Sequence, residues 1–579
     1  MSGILGLMDI AKRSLAATQL GVEVTSNNIS NVNTPGYSRQ IVRYETSTAL
    51  PSAYGPLGYG VEVLGIERAF DPFVAARLVE NTALLADYQS RQANLEQVAS
   101  LFNETQDGGL SQLLSGFWDS WNDLADNPSG SGERQALLSQ AQTLADAFNF
   151  RADQLVQART ALSQQIGPTI EEINIHAARI AELNRDIQAV ESPEHQANDL
   201  RDERQKEINE LAELVGVRYY TTGDGTVNVT LANGIPLVQS MDAWELGYEI
   251  TADDKVQINW EGPNGLTEDV TSAVSGGRLS ALIEVRDTQI VKFQEDLDNL
   301  AQELIATVNS QHSQGVGLDM FSEVTGTYSV ANPASNLNTL PFGDRIIVGE
   351  SFNIHVESGG TSTLYNIPIN DVDGTTTLDG LINYINANVT GVTASLDPAA
   401  GPEYTLKLTA DDPDDSFGFS EDTSNVLMAL GVNTFFTGEN AYGLAVNDTV
   451  ADNYNLIATG QIETTPPNEG DHAPGDNRNA LALAGLADQT VAGLGDLSFE
   501  DAFRQLVSDI ALEAEDAGNK RDFYQGMVDQ YSQLRDSVSG VSLDEELTNL
   551  IKYQRAYQAA AKMISAADEM LQALLTIKT

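Results

Sequence analysis

The chain has 579 residues, 41% of them hydrophobic, with 47 Gly and 18 Pro; this is a globular composition with room for roughly four domains of ordinary size. Asp and Glu number 83 against 31 Lys and Arg, and the formal charge of −52 repels nucleic-acid phosphates and anionic membranes alike. Cysteine is absent, which excludes disulfides and thiol chemistry, and no run of 18 apolar residues exists to insert in a membrane; the richest stretch, 481–497, is broken by Asp and Gln.

The N-terminal sequence MSGILGLMDIAKRSLAATQLGVEV puts Lys12 and Arg13 after its first apolar residues, the wrong order for a cleaved secretory signal. Export, where it occurs, is expected without one. Ile4, Met8, Ala11, Leu15, Thr18, Val22, Thr25 and Ile29 step alternately by four and three, the spacing of a coiled-coil seam. A helix of that length spans ~40 Å and is marginal until its stripe packs on something. It runs into SNNISNVNTPGYSRQ (26–40), a dense stop signal. Pro35 disfavours helix at Thr34, Gly36 tolerates positive φ, and Asn27, Asn28, Asn31 and Asn33 are suited to bond the exposed carbonyls of the helix end. We expect a helix-stop turn built on Asn31, Asn33, Pro35 and Gly36, with Tyr37 as a packing anchor. Asn28-Ile29-Ser30 also has the form of a glycosylation sequon, for which chance is the better account.

Asp71-Pro72 opens the next helix as N-cap and first-turn proline, and Val74, Leu78, Leu85, Tyr88, Leu95 and Phe102 mark one of its faces. Helical patterns continue through 110–128 and 133–166 and on to about Val215, punctuated by Pro128, Pro168 and Pro193. Phe117, Trp118 and Trp121 read as a bundle core rather than a ligand cage. At Val217 the period changes to two: 217–240 reads strand, Gly-Asp-Gly turn, strand, Asn-Gly turn, strand. A helix over 277–312 interrupts this grammar. Residues 316–475 are rich in Thr, Asn, Asp and Gly with short strand-like runs such as 345–356 and 403–410, and helix returns from about Asn479 to Ser539.

The final segment opens with SLDEEL (542–547), a capping-box pattern with Ser542 and Glu545. Leu550, Tyr553, Tyr557, Ala560, Ile564, Ala567, Leu571 and Leu574 then form a second heptad stripe. The two ends are the most regular heptads of the chain, and the simplest reading pairs them with everything between as an insertion. The predicted fold is α+β and multidomain. It has paired terminal coiled-coil helices (1–37 and 541–579), a long helical bundle (38–215, 276–315 and 476–540) and discontinuous inserted β-rich outer domains (216–275 and 316–475).

Signatures of catalysis are missing. No Lys follows a Gly, so a phosphate-cradling G-x-x-x-x-G-K loop is absent, as are G-x-S-x-G and H-E-x-x-H. The five His (176, 195, 312, 355 and 472) lack metal-ligand spacing, and His176 reads as a surface or boundary residue among charged neighbours. The acidic run 411–422 lacks an EF-hand frame and reads as a solvated loop. Catalytic, cofactor and metal residues are therefore expected to be none.

Periodicity leaves two readings of the terminal helices: an intramolecular pair with no further role, or a pair that also packs laterally on copies of itself. Their small and polar seams suit close multi-helix packing. Basic residues, scarce elsewhere, also recur at these ends as Lys12, Arg13, Arg39, Arg43, Lys552, Arg555 and Lys562.

The sequence NNISNVNTPGY (27–37) resembles the N-terminal signature of the axial proteins of the bacterial flagellum, and SRQ (38–40) points within them to the hook-associated protein 1 family. LTNLIKYQRAYQAAAKMISAADEMLQALL (547–575) is similar to that family's C-terminal helix, and residues 117–135, 429–447 and 475–486 also fit, so the resemblance runs from end to end. Ser30 stands where relatives often have Ala, a small-for-small change. The resemblance implies a non-catalytic structural subunit at the hook–filament junction, whose sixteen heptad residues form an inner tube with helical and β domains outside it. It implies as partners copies of itself in a ring or helical layer, the hook protein, a second junction protein and an export chaperone on the C-terminal helix, with neither nucleic acid nor membrane insertion. It further implies unfolded, type III export to an extracellular position on the flagellum. The alternatives are another axial component such as the hook protein, or a secreted β-rich adhesin or enzyme using flagellar-type ends for export.

Overall fold

The computed structural model describes residues 2–52, 55–103, 109–192, 195–398, 403–465 and 468–577. In chain order, helix α1 (Ser2–Ser30) is followed by strands β1 (Gln40–Thr46), β2 (Leu50–Ser52), β3 (Gly55–Leu57) and β4 (Val61–Arg68). Then come α2 (Pro72–Leu101), α3 (Leu110–Asp126), α4 (Ser131–Val190) and α5 (Asn198–Leu214). Strands β5 (Arg218–Thr221), β6 (Val227–Thr230), β7 (Pro236–Gln239), β8 (Asp242–Ala243), β9 (Glu245–Ile250), β10 (Val256–Glu261) and β11 (Thr267–Asp269) lead to α6 (Gly277–Glu284). A single π-helical turn, Val285–Gln289, joins it to α7 (Ile290–His312). Next are β12 (Glu323–Thr325), β13 (Ser351–Ser358), β14 (Thr361–Pro368), α8 (Leu378–Asn388), β15 (Val392–Pro398), β16 (Tyr404–Ala410), β17 (Ser416–Ser420) and α9 (Val426–Leu430). The chain closes with β18 (Phe436–Thr437), β19 (Ala445–Val446), α10 (Asp448–Asp452), α11 (Arg478–Gly485), α12 (Phe499–Ser539) and α13 (Leu543–Ile577). This is an α+β fold. No helix among the described residues is long and apolar enough to cross a membrane.

The chain forms two compact units, each assembled from separated segments. The first comprises Met1–Asn94, Ala161–Thr288 and Ala514–Thr579. In it α1 packs along α13, and β1 and β4 form an antiparallel hairpin against α1. That hairpin lies in a stretch read from sequence as helical bundle. Only Gln40 and Val42 of β1 are buried, while the apolar Ile41 and Tyr44 are exposed, so the alternation that would betray a strand is blurred. The Gly-Asp-Gly and Asn-Gly turns close β5–β6 and β6–β7 of a four-stranded sheet, with Gly225 at φ +85° and Gly234 at φ +90°. A three-stranded sheet, β11–β10–β9, adjoins it in sequence. The buried Asn184 of α4 stitches this region to the helix: its amide donates to the carbonyl of Val227 at 2.8 Å and accepts from the Val227 N–H at 3.0 Å.

Pro168, read as a boundary, lies inside the 60-residue α4. The proline lacks one N–H, yet the helix runs through it because Ile166, Ile170 and Ile173 continue one buried stripe on both sides. Pro193 falls outside the described residues, and Pro128 sits in the turn between α3 and α4.

The second unit comprises Leu95–Thr160 and Gln289–Glu513. Its core gathers Phe117, Trp118 and Trp121 of α3 with Phe435, Phe436 and Phe499, at ring separations of 4.8–6.4 Å. The three sequence-flagged aromatics are thus core residues. Two antiparallel three-stranded sheets, β14–β13–β17 and β12–β16–β15, belong to this unit. Residues 316–475 also contain α8, α9 and α10, short helices that strand-like composition concealed.

Candidate assembly site

Helix α1 ends at Ser30 because the residues after it replace the missing helical hydrogen bonds. The N–H and the side-chain amide of Asn31 both reach back to the Asn27 carbonyl, at 3.0 and 3.1 Å. Thr34 and Tyr37 bracket a tight turn, with Tyr37 N–H donating to the Thr34 carbonyl at 3.2 Å. Pro35 and Gly36 occupy its centre, and Gly36 takes φ +81°, which the preceding proline's fixed φ and the absence of a Cβ allow. Asn33 is exposed.

The residue that organises the turn is Asn28, 1% exposed. Its amide nitrogen donates to the Gln40 carbonyl at 2.9 Å and to Glu546 Oε2 at 3.1 Å. Its oxygen accepts from the Gln40 N–H at 2.9 Å and from the Tyr37 hydroxyl at 2.8 Å. One side chain therefore joins α1, the turn, β1 and α13, with every donor and acceptor position used. Burial of this kind closes the sequon in the folded chain. Burial first, then the Asp199, Asp202 and Glu546 carboxylates, hold the Tyr37 hydroxyl protonated well beyond its ordinary range.

The next three residues anchor alternately to α5 and α13. Ser38 gives its N–H and hydroxyl to Asp202 of α5 at 2.8 and 2.7 Å. Asp202 also accepts from Arg68 at 2.9 Å, in a nearly buried ion pair. Arg39 grips the start of α13 through Glu546 (2.7 Å) and Glu545 (3.1 Å), and its N–H donates to the Ser539 carbonyl. Glu545, read as half of a capping box, thus faces Arg39. Gln40 reaches Asp199 of α5 at 2.9 Å. A cleft of about 750 Å³ opens beside this knot, between the turn, the first turns of α2, α5 and the link from α12 to α13.

The two terminal helices are antiparallel, with Asn28 beside Glu546 and Gly21 beside Tyr553, seven residues apart on each. A methyl group at Gly21 would lie 2.9 Å from the Tyr553 ring, so the glycine permits the approach. In α13 the buried line is Glu546, Ala560 and Ala567, with Leu550, Tyr553, Ile564 and Leu571 half-buried, while Tyr557 and Leu574 are 40% and 42% exposed. In α1 the buried line is Ala11, Ala17, Gly21, Val24, Thr25 and Asn28. Ile4, Met8, Leu15, Thr18, Val22 and Ile29 are half-buried. Within the chain, then, the α1 seam is turned by about one position from the heptad reading, because the β1–β4 hairpin also packs there: the Tyr44 hydroxyl donates to the Ala17 carbonyl at 3.2 Å. Gly21, Asp202 and the hairpin were missed from sequence, and Asn28, read as one of the asparagines bonding helix-end carbonyls, instead bonds Gln40, Tyr37 and Glu546. A glycine inside an otherwise apolar helical stripe was the one available signal for a close approach.

The family described as Flagella basal body rod protein matches residues 8–37, and Flagellar basal body rod FlgEFG protein C-terminal matches residues 533–577. The knot and its two helices therefore carry the shared ends of flagellar axial proteins. Between them, Flagellar hook-associated protein FlgK helical domain matches residues 95–326, and Flagellin hook IN motif matches 351–412. Flagellar hook-associated protein 1 of Escherichia coli is 27% identical, with 99% of this chain and 100% of that protein aligned. Its namesake from Salmonella typhimurium is also 27% identical over the same shares, and that of Bacillus subtilis 25% over 99% and 98%. The solved structure of the flagellar hook junction protein FlgK from Burkholderia pseudomallei shares the fold, with TM-score 0.54 at 18% identity over 80% of this chain and 100% of that one. The chain is a flagellar axial protein. Its similarity along the whole length is to flagellar hook-associated protein 1, a structural protein of the flagellum.

Proposed function

We propose that this chain is a structural subunit of the hook–filament junction that joins its neighbours by lateral packing of the α1–α13 pair. The observation carrying this reading is the apolar surface left on that pair. Along α13, Leu547 and Ile551 flank the buried line on one side, and Met563 and Met570 on the other, each 37–51% exposed. Leu5 of α1 is 54% exposed. Large apolar side chains ranged along both flanks of one helix mark a surface that other protein covers. The occupants are further copies of the chain and the hook protein, in a ring or helical layer, with a second junction protein on the filament side. The half-buried members of the two heptads, Met8, Leu15, Val22, Ile29, Ile564 and Leu571, complete the inter-subunit surface. Residues 1–37 and 541–579 are assigned to the inner tube, and the β-rich segments 216–275 and 316–475 to the outside. Export proceeds unfolded and without a cleaved signal, and a chaperone covers the C-terminal helix beforehand.

The test replaces Leu547 and Ile551 together by Glu. Both lie off the buried line, so the monomer keeps its circular dichroism and melting temperature. A strain carrying only this variant is expected to make hooks, release unassembled filament protein and bear no filaments in electron micrographs. Filaments of normal number would refute assembly through this face.

A further inference from the structure

Away from the terminal pair, α4 and α5 bring together three side chains that assembly does not use. Nδ1 of His176 lies 2.7 Å from Oε2 of Glu207 and 3.9 Å from Oε2 of Glu210. One ligand atom from each residue lies within 4.8 Å of those of the other two. Glu207 and Glu210 are one turn apart on α5, so both carboxylates fall on the face that meets His176. Side-chain exposures of 23%, 16% and 39% leave the group half-buried and open to water on one side. A single carboxylate is enough to hold an imidazole N–H. The second, aimed at the same nitrogen, adds like-charge repulsion in a chain whose formal charge is already −52. Lys206 pairs with the other oxygen of Glu210 at 3.5 Å and offsets part of that repulsion, while Arg179 is engaged by Glu182 and Glu203.

We propose that His176, Glu207 and Glu210 form a site for a divalent transition metal, Zn²⁺ being the ion they fit best, with water completing the coordination. One imidazole nitrogen and two carboxylate oxygens are a donor set that zinc accepts and that calcium and magnesium, which prefer all-oxygen shells of six or more, do not. Ligand bonds of about 2.0–2.2 Å place neighbouring donor atoms roughly 3–3.5 Å apart. The 2.7 Å contact opens slightly and the 3.9 Å contact closes, adjustments within the reach of two glutamate side chains. The metal takes the place of the Nδ1 proton, so acid competes with binding. Its mechanical effect is to tie α4 to α5, the helix whose Asp199 and Asp202 hold Gln40 and Ser38. A single His thirty-one residues before Glu207 gives no sequence signal of this kind; only the antiparallel packing of the two helices creates it.

Full-length protein freed of metal with EDTA is titrated calorimetrically with ZnCl₂, CaCl₂ and MgCl₂. The expected result is one Zn²⁺ per chain, no detectable Ca²⁺ or Mg²⁺ at the same concentrations, and slower amide exchange in α4 and α5 once zinc is bound. His176→Ala is expected to weaken zinc binding by about 100-fold or more, and the conservative Glu210→Gln by at least about 10-fold, while the exposed-site control His195→Ala leaves it unchanged. Absence of zinc binding to the native chain, calcium binding as tight as zinc, or full zinc affinity in His176→Ala would each overturn the proposal.

Discussion

Asn28 makes four hydrogen bonds in a site that water does not reach, and removing it strands their partners. Replacing it with Ala leaves the Gln40 backbone groups and one oxygen of Glu546 without this partner, at a cost of about 3 kcal/mol to the terminal pair. The measure is hydrogen exchange of the α1 and α13 amides, expected to speed up by about two orders of magnitude while unit-two amides keep their rates. Gly21 makes the opposite kind of demand. Gly→Ala in a helix interior ordinarily gains about 1 kcal/mol, but here the added methyl meets the Tyr553 ring. Gly21→Ala is expected to destabilise the pair by about 1 kcal/mol or more, and far less in a Tyr553→Ala background, a non-additivity that a double-mutant cycle reads directly.

His312, in the second unit, contributes to the pH dependence, as does the buried His355, whose pKa burial also pushes down to about 4. His312 is fully buried, donates from Nδ1 to the Asn433 carbonyl at 2.8 Å and accepts the Ala458 N–H on Nε2 at 3.0 Å, so only the neutral ring fits. Burial chiefly, with Arg134 adding to it, pushes its pKa down from 6.5 to about 4. The unfolded chain then takes up a proton the folded one refuses. The contribution of His312 is complete above pH 6.5 and drains away as pH falls towards 4, by about 3 kcal/mol over the window. Thermal melts between pH 7.5 and 4.5 check this, and His312→Asn is expected to lower stability overall but flatten its slope. At this scale the sequence told only part of the site. Turn chemistry is local, so Pro35, Gly36 and the reach of Asn31 to Asn27 were readable, whereas Asn28 differs from its neighbours through a carboxylate 518 positions away.

Among elements, helices with a strong 3.6-residue stripe were the most legible. Residues 70–102 opened at Asp71-Pro72, where the Asp71 carboxylate accepts the N–H groups of Phe73 and Val74 at 2.9 and 3.3 Å. The strands β1 and β4 were not legible, because the register shift at Arg43/Tyr44 breaks their alternation, and proline at 168 was over-read because packing on both sides outweighs one lost hydrogen bond. The start of α4 depends on a contact no pattern announces. Arg134 is wholly buried and donates only to neutral oxygens: the carbonyls of Pro128, Tyr454 and Ile457 and the Thr459 hydroxyl. Its five donors form a planar fork that an ammonium group does not reproduce. Arg134→Lys is therefore expected to cost the second unit about 3 kcal/mol, seen as a lowered denaturation midpoint, although charge is unchanged.

For the molecule as a whole, the sharp changes of composition at Val217 and again near residues 316 and 479 suggest nested insertion, a reading that leaves out the β1–β4 strands between α1 and α2. The division into two units was not legible in the sequence, because α2, α4 and α12 each contribute residues to both. Removing residues 543–579 takes away α13 while leaving the second unit intact in sequence. The truncated chain is expected to stay soluble and to keep the second unit's melting transition, yet to restore no filaments to a deletion strain. A chain lacking α13 that still built junctions would count against the terminal pair.

The lock between Asn28 and Glu546 closes a loop of more than five hundred residues, which is entropically slow to form compared with any local contact. On a ribosome its first half emerges early and its second half almost last. A product cut short by nonsense mutation or stalled translation thus keeps the turn and lacks the latch. On the assembly proposed above, such a chain is expected to offer a growing polymer only half of its edge, so completeness of translation and competence to join are read by one contact.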